Sequence, residues 1–493
     1  MRSHGDGRSA APVILVASRL LLSRRFGVAG WQAVDEALVQ LAQSLRPLSA
    51  HLLYVDDARS LAPYGLSPVT PRDPQLIRQL VDQLERNLGG APAIVWLIGG
   101  DEVLPFFRLT NPADDPDGEI LSDAPYASSG GDPLVPSRVV ARLPHPAGGA
   151  NAFLHLLARA ASAQPIQPRQ GTPVAVGYTA SIWREASQAV LSEIPGAGPL
   201  RMSPPWELHD YPYVRRQHAT LRYFNLHGTA EGTTWHGQLD PVLPADFDDF
   251  PPALRQIDIS ADEARDSVVA AEACYGAALT PTSIAMRFLR LGAGALLGST
   301  AMSYGALASP VSGADLLVKD FLQLVVAGVP LGEALLLAKL AFARTMMDTQ
   351  GFLDAEDQKT LLTFVLLGHP TLRLAVGSPQ SQSHLACAEA YRHLDGPLDV
   401  VCAHTVDRSG APIPEGSLLK EIESLAQYHL AAHPRSLGFR QETCRIMAPS
   451  THSRPTSDSH QVVSLSRPLS SGGTQVVRFT VREGRVTKTV VSH

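Results

Sequence analysis

The sequence predicts an α/β protein whose mostly parallel sheets carry helices on both faces, with a small C-terminal α+β domain appended. Three observations predict it. Short β-branched and apolar runs alternate with helix-period segments through the first three quarters of the chain, the rhythm of parallel crossovers. Several strand-like runs end at glycine turns, Gly99-Gly100 and His227-Gly228 among them, where α/β proteins place function. Beyond Gly377 the polar stretch 378–384 gives way to a different pattern of one helix and a hairpin.

Val13–Ala17 reads as a buried strand, and Trp31–Leu45 as a helix with Val34, Leu38, Leu41 and Leu45 on one face. Leu52–Val55 is a second strand, Asp73–Leu88 an amphipathic helix and Ile94–Ile98 a third strand. Residues 111–136 form an acidic, Pro/Gly-rich loop with Asp114, Asp115, Asp117, Glu119, Asp123 and Asp132. Carboxylates this close could hold Ca²⁺, but no EF-hand pattern is present, and a solvated loop is the preferred reading. Val139–Leu143 resumes the strands. A second pass runs through strands at Val174–Tyr178, Leu221–Leu226, Ser267–Glu272 and Ala293–Ser299, with a helix near Ala186–Ile194. Apolar helices at Ala314–Val326 and Leu331–Thr345 are expected to cover the sheet, and Thr363–Leu374 closes it. The expected organisation is thus 1–170, 171–377 and 378–493. The last unit has a helix near Leu418–His433, a polar loop at 449–460, and a hairpin joining Gln475–Val481 to Arg485–Val491 through Glu483-Gly484.

Composition narrows the function. With 41 basic against 47 acidic residues the chain is slightly acidic, so no nucleic-acid binding is expected. No run reaches 18 apolar residues, so no membrane span is expected. Four cysteines in 493 residues are too few for a disulfide scaffold, and no signal-peptide pattern opens the chain, so the expected compartment is the cytoplasm. His384, Cys387, Cys402, His404 and Cys444 lack zinc-finger spacing and read as scattered thiols and imidazoles.

Two strand ends carry the chemistry. His227 precedes Gly228, and Cys274 sits in E-A-C-Y-G, 47 residues further on. Consecutive parallel strands present their carboxyl ends on one edge, so a His and a Cys there can meet across a cleft. An imidazole beside a thiol raises its nucleophilic fraction and later protonates the leaving amine. Gly228 and the Cys274 N–H could supply an oxyanion hole.

The E-A-C-Y-G motif and its upstream His resemble the caspase arrangement, and the likeness is wider. NLHGTAEGTTWHG (225–237) resembles the histidine loop of gingipain-type, caspase-fold cysteine peptidases of clan CD, and VVAAEACYG (268–276) their nucleophile strand. GALLGSTAMSYGALASP (294–310), FVLLGHPTLRL (364–374), VWLIGGDEVLPFF (95–107) and VPSRVVARLP (135–144) are similar to further segments in the same order. The resemblance implies a caspase-like fold over residues 12–376, with 1–170 an N-terminal subdomain, 171–377 the catalytic subdomain and 378–493 accessory. It implies a cysteine endopeptidase with Cys274 as nucleophile and His227 as general base, requiring no cofactor. The matching stretch Gly177-Tyr178-Thr179-Ala180 lacks the acidic residue that supports the family's histidine.

Glu272, two residues before Cys274, shares its strand face and would form the floor of the primary pocket, favouring Arg or Lys before the cut. Trp183, Arg184 and Glu185 lie where the family places another pocket residue; Arg184 facing inward would select Asp instead. Legumain-like enzymes share E-A-C and prefer Asn. Tyr304 either walls the pocket with its ring or is simply a packed loop aromatic; the loop Asp240–Phe250, with Asp246, Asp248 and Asp249, could form a lid or a Ca²⁺-responsive segment, but a solvated loop is the preferred reading. The C-terminal domain is expected to hold a regulatory role or bind a regulatory partner, as in a latent protease of a bacterial defence system. The alternative from another class is a non-catalytic signalling scaffold with the same fold.

Overall fold

The computed structural model describes residues 11–129, 131–168, 170–214, 218–243, 247–375, 398, 400–407, 416–430, 438–447, 459–469 and 473–493. Among the described residues there are twenty strands: β1 Val13–Ala17, β2 Ala50–Tyr54, β3 Ile94–Ile98, β4 Phe107–Thr110, β5 Glu119–Ser122, β6 Val139–Leu143, β7 Ala175–Ala180, β8 Ala197–Ser203, β9 Leu221–Asn225 and β10 Thr234–His236. They continue with β11 Pro252–Arg255, β12 Val268–Ala271, β13 Ala295–Ser299, β14 Tyr304–Gly305, β15 Phe364–Gly368, β16 Cys402–Asp407, β17 Gly438–Met447, β18 Ser459–Pro468, β19 Thr474–Arg482 and β20 Arg485–Ser492.

Ten of these form one sheet in the order β2-β1-β3-β6-β15-β13-β12-β9-β7-β8, so strands from 1–170 and 171–377 share a single backbone ladder. Every pairing in it is parallel except β13 with β15. Both faces are covered, as strand period dictates. In β12, Val268 and Ala270 belong to one apolar cluster and Val269 and Ala271 to another; β15 splits likewise, Phe364 and Leu366 against Val365 and Leu367. The near-continuous apolar runs in the sequence are the signature of strands buried on both sides, each Val or Leu contributing about 1.5–3 kcal/mol on burial.

Helix boundaries follow local chemistry. Asp73 caps Pro74–Asn87, accepting from the N–H of Gln75 at 2.9 Å with proline in the first turn. The first helical stretch begins earlier than the apolar periodicity predicts. Ser18 caps it at Arg19, and it bends at Gly27, whose φ of 68° only glycine adopts freely. Arg19, Arg24 and Arg25 interrupt the apolar pattern there and hide the first turns. The helices Gly313–Val326 and Leu331–Gln350 pack on one another and against β6, β12 and β15, covering the sheet as expected.

The acidic segment 111–136 is not a solvated loop. It follows the hairpin strand β4 and includes β5, and Asp115 and Asp117 are buried under the Lys359 ammonium, 2.6 Å from each. Asp123 is likewise buried in a bidentate pair with Arg142. The sequence showed the charges but not their distant cationic partners, 244 and 19 residues away.

The C-terminal unit is a six-stranded sheet, β14-β20-β19-β18-β17-β16, antiparallel throughout. The expected hairpin turn at Glu483-Gly484 is present, with φ of 49° and 73° at the two residues, the left-handed pair of a tight hairpin. The edge strand β14, paired with β20, comes from the body of the chain, so accessory sheet and body are joined through one ladder. The predicted linker, His384 and Cys387, and residues 449–458 of the predicted loop 449–460 lie outside the described residues; 459–460 open β18 instead, and Cys444 falls in β17.

Candidate active site

The carboxyl ends of β7, β9, β12 and β13 gather the predicted residues on one edge of the sheet. Trp183 follows β7, His227 follows β9, and Glu272 and Cys274 follow β12; Ser303 and β14 follow β13. The Glu272 N–H donates to the Phe224 carbonyl at 2.9 Å, extending the β9–β12 ladder to the site itself. The Cys274 turn is tight. Gly276 N–H closes on Ala273 O at 2.9 Å, and Tyr275 holds a left-handed φ of 54°, a conformation that costs energy and is kept where geometry matters. Gly228 packs so closely on the Cys274 carbonyl that a β-carbon there would overlap it, which explains the glycine after His227.

His227 and Cys274 are both 3% exposed. The Cys274 thiol touches Ser303, whose N–H lies 3.3 Å from Sγ, and burial pushes the thiol up to about 12. Nε2 of His227 hydrogen-bonds Gln238 Oε1 at 2.8 Å, and that oxygen also accepts from Gln475 Nε2 at 2.8 Å. An oxygen accepting from both sides assigns the proton to Nε2 and leaves the Nδ1 lone pair free to take a proton. The His227 ring packs on Trp183, with centroids 4.4 Å apart, and on Phe250 at 5.2 Å; burial lowers its pKa to about 3. Among the described residues no hydrogen bond joins Sγ to the imidazole; the two groups face their own partners in this closed arrangement.

Glu272 is fully buried at the base of the cleft, next to Asp315 and Tyr223. Asp315 accepts from Asn225 Nδ2 at 3.2 Å and from the Ala306 N–H at 2.7 Å. Burial and mutual repulsion push the Glu272 carboxyl well above the usual range. Asp315, Ser303, Gln238 and Gln475 were not singled out from sequence; each becomes relevant through a contact 11 to 237 residues long.

Arg184 and Glu185 do not line the pocket. Their side chains are 42% and 67% exposed because the helix Arg184–Ser192 starts there and turns both outward, leaving Trp183 as the residue that faces in. Tyr304 contributes its backbone to the cleft, while its ring packs with Cys274 and Met302 and its hydroxyl donates to Asp115 at 2.8 Å. His236 pairs by backbone with His227 at 2.9 Å in each direction. The loop 240–250 covers His227 through Phe250, with Asp240 buried; Asp246 lies outside the described residues. Among the described residues no group of three or more His, Cys, Asp or Glu could hold a metal ion, and no helix is long and apolar enough to cross a membrane. A cavity of about 410 Å³ lined by Arg159, His218, Asp266 and His369 lies at the opposite edge of the sheet from Cys274.

The fold is that of gingipain-type, caspase-like cysteine peptidases, and the edge that carries Cys274 and His227 is similar to theirs. Residues 223–375 match the profile of peptidase family C25, the segment that holds His227, Glu272, Cys274 and β14. The whole chain superimposes on the Arg-specific cysteine proteinase gingipain R with a TM-score of 0.51 at 11% identity, covering 99% of each chain. A structure described only as a protease gives 0.50 at 11% identity, again over 99% of each. The pro- and mature-domain complex of RgpB from Porphyromonas gingivalis gives 0.49 at 12% identity, over 98% of this chain and 99% of that one. No curated protein matches the chain. The chain is a cysteine endopeptidase with a protein or peptide substrate.

Proposed function

We propose that Cys274 and His227 form the catalytic dyad and that the enzyme cuts after a basic residue, Arg or Lys. The observation that carries this reading is the carboxyl pair Glu272 and Asp315 at the floor of a cleft whose wall is Trp183. Two buried carboxyls sharing one site retain a proton between them, and a guanidinium or ammonium entering beside them lets it leave. A neutral or acidic side chain would gain nothing there, so the pocket discriminates by charge.

In the reaction, Nδ1 of His227 takes the Cys274 proton and the thiolate attacks the scissile carbonyl. The Cys274 N–H donates to the developing oxyanion, and the imidazolium returns the proton to the leaving amine, giving an acyl-enzyme. Water then hydrolyses the thioester, with His227 as base. Gln238 holds the required tautomer in the place of a carboxylate. No metal or organic cofactor enters this sequence; Asp117 accepts from the Tyr275 hydroxyl and the Met302 N–H, and Asp115 from the Tyr304 hydroxyl, so both support the loops around the nucleophile. We place the enzyme in the cytoplasm as a latent protease. The test is turnover of fluorogenic peptides differing only in the residue before the cut, wild type against Cys274→Ala. Cleavage after Arg or Lys that vanishes in the variant is expected; cleavage after Asp or Asn overturns the pocket assignment.

A further inference from the structure

Something already lies in the cleft. β20 runs antiparallel along β14, with Tyr304 opposite Ser492 and Gly305 opposite Val491. His493 continues the strand, donating its N–H to Ser303 O at 3.1 Å and accepting at its own carbonyl oxygen from the Cys274 N–H at 2.9 Å. That second bond occupies the donor an oxyanion would use. The His493 imidazole is 1% exposed, stacked on Trp183 with centroids 4.2 Å apart and an interplanar angle of 23°, and its Nδ1 lies 3.8 Å from Glu272 Oε2. Gly305 makes room for it, since a β-carbon there would overlap the His493 ring. Val476 and Val490 complete the apolar cover over Cys274.

Each of these contacts is what an extended peptide needs. Edge pairing with β14 supplies main-chain affinity, and the pocket beside it reads one side chain. Resting on the reading of Cys274 as nucleophile and Glu272 as pocket floor, we infer that β20 is a built-in occupant of the substrate cleft. Residues 491–493 lie where the residues before a cut would lie, His493 fills the pocket for a basic side chain, and the enzyme stays latent until this strand is withdrawn. The strand is strongly held. Lys488 sits 2.6 Å from Asp354 and 2.9 Å from Asp357, Arg478 pairs with Glu356, and Gln475 reaches the Gln238 that orients His227. Gln475 and Arg478 belong to β19, so withdrawal of the whole β19–β20 hairpin, beyond that of β20 alone, also frees the histidine's positioning residue.

Removing residues 491–493 from the full protein tests this, with two readouts: the rate at which iodoacetamide alkylates Cys274, and turnover of an Arg-containing fluorogenic peptide. Both are expected to rise at least tenfold, and added peptide 485–493 is expected to reverse the rise. Faster alkylation without turnover of the Arg peptide leaves the strand's role standing and overturns cleavage after basic residues. Equal turnover by wild type and truncated protein overturns the latency while leaving the peptidase reading intact. Unchanged alkylation in a variant that melts like wild type overturns the inference. Should the truncation fail to fold, the full-length pair His493→Asp and His493→Arg decides. Repulsion from Glu272 opens the first and attraction closes the second, and equal alkylation of the two overturns the inference.

Discussion

Arg478→Met probes the joint that holds the accessory sheet on the catalytic body. Arg478 and Glu356 form a salt bridge with side chains 1% and 2% exposed, and Arg478 also donates to the Asp114 carbonyl and to Ser464 Oγ, each at 3.1 Å. Removing one member of a buried pair costs about 3–5 kcal/mol, because the partner is left without its compensating charge. The Glu356 carboxyl, already raised by burial, takes up a proton in the variant and recovers part of this, which puts the expected loss near the lower end, about 3 kcal/mol. Urea unfolding reads the loss as a lowered midpoint at unchanged slope. The double variant Arg478→Met/Glu356→Leu, which leaves no stranded charge, is expected to recover at least half, the lost bonds to the Asp114 carbonyl and Ser464 Oγ accounting for the rest. Since the pair lies at the joint, the same change favours undocking by roughly a hundredfold, at about 1.4 kcal/mol per power of ten, and Cys274 alkylation accelerates with it. A single variant as stable as wild type, or a double variant no better than the single, refutes the reasoning.

Other expectations follow from the same geometry. At the 3.8 Å separation between His493 Nδ1 and Glu272 Oε2, a charge pair at an effective dielectric of 20 is worth about 4 kcal/mol before desolvation. Glu272→Gln in protein lacking residues 491–493 should therefore lower kcat/KM for an Arg peptide by roughly two powers of ten while barely changing that for its uncharged citrulline analogue; equal losses on both would assign Glu272 a purely structural role. Gln238→Glu should raise the pKa of His227 and move the acid limb of the rate profile, whereas Gln238→Leu should cut kcat by one to two powers of ten with KM nearly unchanged. Acid should weaken the fold. His227 is held near 3 against 6.5 unfolded, so below pH 6.5 the unfolded chain binds the extra proton, and stability complete above that pH is lost as pH falls toward 3, by about 1.4 kcal/mol per unit. The melting temperature should drop between pH 7.5 and 5, and His227→Gln should flatten that drop; a His227→Gln profile parallel to wild type would count against it. Gly228→Ala should abolish turnover, because the added β-carbon meets the Cys274 carbonyl rather than a movable side chain; a variant with wild-type rates would show that the two peptides can separate freely.

The sequence by itself determined nine of the ten strands of the large sheet, all but β8, and it singled out His227 and Cys274 at the ends of two of them. Those features are local: runs such as Val268–Ala271 are apolar at every position because both faces are covered, and His227 and Cys274 each stand beside a strand-ending glycine turn, Gly228 and Gly276, in the adjacent sequence. The hairpin at Glu483-Gly484 was legible for the same reason, its turn chemistry being written in two adjacent residues. Tertiary structure decided everything that depends on partners far along the chain. Whether Asp115 and Asp117 meet water or a cation depended on Lys359; whether Arg184 or Trp183 faces the cleft depended on where a helix begins; what orients His227 depended on Gln238 and Gln475. Most of all, nothing in the spacing of residues 485–493 shows that this strand adds to β14 and places His493 between Trp183, Glu272 and the nucleophile. Edge pairing uses backbone groups that every residue carries, so the sequence holds no mark of which edge a strand will choose.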